Sequence, residues 1–401
     1  MPIAKPRILI VGGGIAGPAC ALFLERIGVE AEVCEAYPAR ALSGAALGIA
    51  PNGMAMMDRL GLADRMLAAG SSVERFVMRA GSGRKLGEMA YAPPGRYRFP
   101  GVSINRATLY AILFDALEAR GVRVSFGKRL LALTQDEHGV VARFEDGEER
   151  HCDLVIGADG LRSAVRRLAM PEAPDPAFTG LIGSGGFVPR RLMQQALGSD
   201  GQTSMTFCFG PGGFVGYALG DSTEENGGYW WNAIARDHPV TDDERPILAG
   251  AAGAKAFLDA NPDFGPTIRT LVEGTTTHLG PLDLYDVPAL PRWSAGRVML
   301  IGDAAHAVSP HSGQGASMAL EDGLILAKAL AAHGFDHHAA FAAFEAERRP
   351  RTDKVIAMGR RSGDQKRQGP VGKALQSLLM PLLLKIAPAN RWLYGYDPAP
   401  A

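Results

Sequence analysis

The chain's hydrophobic positions fall into runs of three kinds. The first is short, continuous and β-branched: Arg7 to Val11 reads R-I-L-I-V, the pattern of a parallel strand covered on both faces. Gly12, Gly14 and Gly17 follow at G-x-G-x-x-G spacing, then a helical pattern from Pro18 to Ile27 and a second apolar run, Ala31 to Cys34, that stops at Glu35. Two later stretches repeat the logic of an apolar run ending in glycine and aspartate: DLVIGADGLRSAVR from Asp153 to Arg166, and RVMLIGDAAHAVSPHSGQGASMALEDG from Arg297 to Gly323. In the latter, Met318, Leu320, Leu324, Leu326, Ala327 and Leu330 predict a long helix from about Gly315 with one buried stripe.

The second kind is alternating. From about Phe178 to Thr277, Met205, Phe207 and Phe209 alternate with Ser204, Thr206 and Cys208, and Gly210-Pro211-Gly212-Gly213 predicts a hairpin turn. Gly227 to Ala235 adds a strand with Tyr229 and Trp231 on one face and Trp230 and Asn232 on the other. A sheet with one aromatic face suits a cover for a flat apolar ligand, which makes Met205, Phe207, Phe209, Tyr229 and Trp231 candidates for substrate contact. The same residues could equally form the core of that sheet. The third kind is helical, from Phe335 onward, where EAERRPRTDKVIAMGRR reads as a solvated basic face. LLMPLLLKIAP near the end reads as a buried helix too short to span a bilayer.

These patterns predict an α/β protein, α+β overall: a Rossmann-like nucleotide-binding domain, an inserted mostly antiparallel sheet domain and C-terminal helices. The expected boundaries are 1–171 with 280–333 for the discontinuous nucleotide domain, 172–279 for the sheet and 334–401 for the helical segment.

The N-terminal motif carries its own chemistry. Gly12 permits a tight turn, Gly14 lets backbone approach a pyrophosphate, and Gly17 lets helix pack on strand. The helix N-terminus offers unpaired N–H groups and partial positive charge to the phosphates, and Glu35 can accept from adenosine ribose hydroxyls. The motif does not separate FAD from NAD, and no second G-x-G-x-x-G occurs. Composition adds exclusions. Lys plus Arg equals Asp plus Glu, 42 against 42, so nucleic acid or an acidic membrane is not the expected partner. Cys20, Cys34, Cys152 and Cys208 are widely spaced, as in a reducing, cytoplasmic setting. Asp303, His306 and His311 lie irregularly across a turn with no fourth ligand, so no metal site is expected.

The three glycine-bearing motifs, with GIAPNGMAMMDRLGL (Gly48 to Leu62), SINRATLYAIL (Ser103 to Leu113) and WLYGYD (Trp392 to Asp397), resemble the single-component, class A FAD-dependent aromatic hydroxylases of the para-hydroxybenzoate hydroxylase type. The resemblance spans almost the whole chain and implies one bound FAD, reduced transiently by NADPH or NADH. It also implies O2 adding to give a flavin hydroperoxide that hydroxylates or epoxidises an aromatic or polycyclic small molecule. It assigns Gly12, Gly14, Ala16, Gly17 and Glu35 to the cofactor's adenosine side and Arg106 to its pyrophosphate or ribityl region. Asp159 would serve both nucleotides, with Arg162 and Arg166 as nearby cations, and Asp303 would bind the ribityl chain. Pro310, Gly313, Gly315 and Ala316 would stand beside the flavin ring, where the helix N-terminus favours reduced, anionic flavin. His306 is expected to satisfy local backbone groups. His311 is a weak candidate for a substrate-side acid or base. Flavin oxidases, dehydrogenases or halogenases and a non-enzymatic escort protein are the alternatives on this scaffold. The halogenase W-x-W-x-I-P signature is missing from YWWNAIA, and the retained Asp303, Gly313 and Gly315 favour an enzyme.

Overall fold

The computed structural model describes residues 5–40, 44–210, 213–366 and 391–398. Its nucleotide-binding layer is a sheet in the spatial order Ser294–Ala295, Val298–Leu300, Leu154–Gly157, Ile8–Val11, Ala31–Cys34 and Arg123–Ser125. Every neighbouring pair is parallel except the short Ser294–Ala295 edge. The three motif-bearing strands therefore lie side by side and end together, so that their glycine turns meet at one edge, where open α/β sheets bind ligands.

The first helix runs Ala16–Arg26, two residues ahead of its expected start. Pro18 is tolerated there because a first-turn N–H has no intrahelical partner to lose. Against this helix packs the Gly315–Ala332 helix. The approach is close enough that a Cβ on Gly323 would lie 2.9 Å from the Cys20 nitrogen. The largest apolar core joins these two helices to the parallel sheet.

The second layer is a sheet ordered Thr277–Asp286, Ala177–Val188, Gly228–Ala235, Phe214–Leu219, Ser204–Phe209, Arg75–Ala80 and Lys85–Ala90. It is antiparallel except where Ser204–Phe209 runs parallel to Arg75–Ala80. Its last two strands come from the chain ahead of the insertion, so residues 75–90 extend the sheet beyond the 172–279 segment.

One expectation fails in part. The Glu345–Arg361 stretch is not solvated throughout: Lys354, Arg360 and Arg361 are exposed, but in the His337–Lys366 helix Arg348, Thr352 and Val355 are 0 % exposed and Arg351 is 8 % exposed. Their spacing is that of a core-facing helical stripe. Glu321 and Asp322, both fully buried on the Gly315–Ala332 helix, supply the carboxylates that allow two arginines to be buried there. The LLMPLLLKIAP segment lies outside the described residues. Among the described residues no helix is long and apolar enough to cross a membrane.

Candidate cofactor groove and substrate wall

The first turn has the shape its glycines require. Gly12 adopts φ +114°, and a Cβ there would lie 2.3 Å from the Ala158 carbonyl oxygen, so the first and second motifs touch through this missing side chain. Gly17 is equally constrained, with the Gly12 oxygen 2.0 Å from where its Cβ would be. Gly14 differs: a Cβ on it would meet only the Tyr110 hydroxyl, 3.9 Å away. Gly14 thus faces open space, as backbone awaiting a pyrophosphate must. Glu35 accepts from the Gly13 N–H at 2.7 Å and the Tyr37 N–H at 2.9 Å, which aims its carboxylate at the turn.

Arg106 opens the Arg106–Ala119 helix with an exposed side chain, and Tyr110 follows one turn later. Burial raises the Tyr110 phenol above its usual range; Arg106, Glu35 and Asp303 all lie near enough to act on it. The four side chains and Gly14 therefore cluster together, marking out the candidate groove. Asp303 is accessible from that groove, while the protein crowded around its other sides raises its carboxyl above the usual range. The charges of His306 and Arg106 oppose that rise. Gly302, at φ +57°, packs on Ala16: a Cβ on it would fall 2.9 Å from the Ala16 Cβ. The third motif thus closes onto the first.

Beyond Asp303 the chain makes a short turn, Pro310–Ser312, and Gly313 ends it in the left-handed region at φ +61°. The Gly315–Ala332 helix then begins, and its cap residue Gln314 contributes no side-chain cap. Gly315 stands beside Asp303, whose Oδ1 would be 3.9 Å from a Cβ there. These positions fit an extended dinucleotide: a cradle beside Gly14, acids and a cation along the groove, and a helix N-terminus at its far end.

Two expected cofactor neighbours turn inward. Asp159 accepts from the Ala164 and Val165 N–H groups at 2.7 and 3.0 Å and from the Ser163 hydroxyl, so its carboxylate organises the start of the Ala164–Ala169 helix. Arg166 is 2 % exposed and donates to the Ala304 and Leu161 carbonyls. Arg162 stays exposed, 5.9 Å over the Tyr285 ring. His306 does not serve backbone groups; its Nε2 lies 2.7 Å from Asp322 Oδ2 within a fully buried network. The His311 side chain lies outside the described residues.

Network and groove share that turn. Asp322 accepts from the Gly302 N–H and from Arg348 Nε, both at 2.7 Å. Burial alone would push its carboxyl up, but His306 and Arg348 overcome this and hold it down at about 2. Arg351 bonds Glu321 and donates to the Trp392 and Leu393 carbonyls, pinning the C-terminal segment.

The expected substrate wall lies across the Ala46–Ile49 strand. That strand is tied to the Gly315–Ala332 helix by the Ala50 N–H, which donates to Ser317 Oγ at 3.0 Å, and it meets the sheet where a Cβ on Gly48 would fall 3.8 Å from Met205 Cε. Phe207 stands edge-on to Trp231 at 5.9 Å, and Trp231 stacks on Tyr229 at 5.4 Å. Tyr229 is 5 % exposed, its hydroxyl 2.7 Å from Ser103 Oγ, and burial pushes its phenol up to about 12. Phe209 sits at the hairpin end against Phe214. Phe76, Tyr91 and Tyr394, which the sequence reading missed, complete the wall: Phe76 stacks on Tyr91 at 4.2 Å, and Tyr394 meets Tyr91 edge-on at 4.7 Å. No local signal marks them. Tyr110 was missed as well, although its place four residues after Arg106 on one helix face could have marked it.

Glycine turn, groove and parallel sheet together define a dinucleotide-binding α/β protein. The chain belongs to the family described as FAD binding domain, matched over residues 5–218 and 287–358, and is an FAD-dependent monooxygenase of the class A aromatic-hydroxylase type. It is 30% identical to 6-hydroxynicotinate 3-monooxygenase of Bordetella bronchiseptica, covering 88% of this chain and 90% of that protein. It is 32% identical to a 3-amino-4-hydroxybenzoate 2-monooxygenase of Streptomyces platensis, covering 99% and 97%. Klebsiella pneumoniae HpxO, solved with FAD and uric acid, matches with a TM-score of 0.81 at 26% identity, covering 97% of this chain and 95% of that one.

Proposed function

We propose that this monooxygenase consumes NADH or NADPH and O2 to hydroxylate or epoxidise an uncharged, planar aromatic or polycyclic molecule. One observation carries the substrate class. Two successive rungs cross the seven-stranded sheet on its inner face. One reads Met89, Phe76, Met205, Ala218, Tyr229, Phe187 and Thr277; the other reads Gly87, Met78, Phe207, Gly216, Trp231, Gly185 and Leu279. Neither contains a charge. A ring carboxylate buried against such a wall would lose its hydration without gaining a cation. The substrates in the two relatives' names are carboxylates; this wall favours a neutral ring.

In this reading residues 1–171 with 280–333 hold FAD, and residues 172–279, joined by the Arg75–Ala80 and Lys85–Ala90 strands, cover the substrate. Gly12, Gly14, Ala16, Gly17 and Glu35 would take the adenosine and pyrophosphate, and Arg106, Tyr110 and Asp303 the middle of the cofactor. Pro310, Gly313, Gly315 and Ala316 would flank its ring. Bound FAD supplies hydride acceptance and oxygen activation, chemistry no side chain here provides. The chain supplies the surroundings. The Gly315–Ala332 helix N-terminus stabilises negative charge developing beside it. Trp231, Phe207 and Met205 exclude water and offer an apolar surface to a flat ring. Tyr229, protonated and bonded to Ser103, fixes the wall.

The test is nicotinamide-nucleotide consumption with 2-naphthol against 3-hydroxy-2-naphthoate, with labelled O2 traced into product. Stimulation and label incorporation by the neutral ring alone support the reading. Equal or stronger stimulation by the carboxylate overturns the substrate class. Flavin bleached by substrate without a nicotinamide nucleotide would make the protein an oxidase or dehydrogenase.

A further inference from the structure

The helix that brings Arg106 and Tyr110 to the groove is capped from outside its own sequence neighbourhood. Its cap residue Asn105 makes no side-chain cap hydrogen bond, and Asn105 Oδ1 is buried without a partner. Instead the Asn105 N–H donates to Asp221 Oδ1 at 2.7 Å and the Thr108 hydroxyl donates to Asp221 Oδ2. Asp221 is 5 % exposed and belongs to the loop between the Phe214–Leu219 and Gly228–Ala235 strands of the substrate sheet.

That loop is held from three directions. Arg190 donates to the Asp221 carbonyl at 2.6 Å and to Ser71 Oγ at 3.1 Å, and the Ser222 N–H donates to the Ala69 carbonyl at 2.8 Å. Gly227 closes the hairpin so tightly that a Cβ there would lie 2.0 Å from the Thr223 oxygen. The Ser103–Tyr229 hydrogen bond ties the strand leading into the helix to the same sheet. A carboxylate at a helix N-terminus satisfies first-turn donors and complements the helix dipole. Here it does so across two layers of the molecule.

We propose that Asp221 is a positioning residue: a remote cap through which the substrate sheet fixes the helix carrying Arg106 and Tyr110, and so sets FAD affinity. This rests on the reading that Arg106 and Tyr110 face FAD. Its function is geometric, since Asp221 faces the helix end and not the groove.

The experiment is FAD titration of apoprotein, read by flavin fluorescence, for wild type, D221A, R106A/Y110F and the combined variant, with thermal unfolding of each apoprotein. D221A should raise the FAD Kd roughly tenfold, the scale of a lost helix cap. In the R106A/Y110F background the same change should cost roughly twofold or less, because the groups it positions are gone. An unchanged Kd in D221A, or losses that simply multiply in the combined variant, would overturn the inference. R106A/Y110F binding FAD as well as wild type would instead remove the groove reading, and the inference with it. Should D221A not fold, T108V removes one of the two bonds and should raise Kd about two- to threefold; no rise overturns the proposal.

Discussion

The Gly315–Ala332 helix stands between two surfaces built in opposite ways. Behind it Glu321, Asp322, Arg348, Arg351 and His306 are buried and mutually paired. In front of it, beyond the Ala46–Ile49 strand, two full rungs of the sheet hold no charge. Charge is tolerated in the interior where the fold itself delivers the partner, permanently and at hydrogen-bond distance. It is left out where, in the proposed reading, a ligand would arrive, be desolvated and leave. The regions are nevertheless joined, because Arg351 holds the Leu393 carbonyl and the next residue, Tyr394, closes the aromatic wall on Tyr91.

The strongest way to break this contrast is to open the charged side. Arg348→Ala leaves Asp322 buried without its arginine and Glu321 with Arg351 as its remaining arginine, and removing one member of such a set costs about 3–5 kcal/mol. Urea unfolding of the apoprotein should show a loss of that size. A loss under about 1 kcal/mol would mean the network is wet and the contrast false.

The next effect is a pH dependence with a definite sign. Asp322 is pulled down to about 2, so its contribution is complete above its unfolded pKa near 4 and lost as pH falls through about 2. That contribution is about 2 kcal/mol. Asp322→Asn should flatten the acid limb of stability between those values. Identical limbs in both proteins would show that Asp322 is not the titrating group.

Asp303 lies where the two surfaces meet, on the turn whose Gly302 N–H is held by Asp322. Its carboxyl is raised, so ionisation there weakens the apoprotein, and stability tied to this group grows as pH falls. Asp303→Ala should therefore leave apoprotein stability unchanged or improved while raising the FAD Kd about tenfold or more, as for a lost hydrogen bond to a charged group. Equilibrium dialysis with FAD checks the second half; unchanged affinity would take Asp303 out of the cofactor site.

Legibility in the sequence follows the range of the interactions. The N-terminal turn could be read almost to the residue because its constraints are local: Gly12 needs its positive φ and Gly17 its close packing within a few positions. The alternation of Met205, Phe207 and Phe209 likewise predicted one face of a strand. What could not be read was pairing at a distance. Nothing in Arg75–Ala80 announces a parallel partner at Ser204–Phe209, so Phe76 and Tyr91 went unnoticed. Arg348, Thr352 and Val355 fall at core spacing, but residue type suggested solvent, because a single sequence does not reveal that Glu321 and Asp322 wait opposite. Asp159 and Asp221 were obscured similarly: one candidate ligand organises its own turn, and one unremarkable loop acid caps a distant helix.

The smallest effect isolates what makes the charged side matter. Lys255 and Asp259 lie 2.6 Å apart, the same separation as Arg348 and Glu321, but their side chains are 76% and 62% exposed where the buried pair's are 0% and 0%. If distance governed the energy, the two pairs would be equivalent. Water instead screens the exposed pair, and ordering two long side chains offsets much of what remains, leaving about 0.3–0.5 kcal/mol for an i,i+4 helix pair. Lys255→Ala should therefore shift the urea midpoint barely beyond error, and 0.5 M salt should erase even that. The Arg348 variant should keep its deficit in the same salt, because no counterion reaches Asp322. A salt-sensitive loss at Arg348 matching that at Lys255 would place both pairs in water and dissolve the distinction between the two faces of the helix.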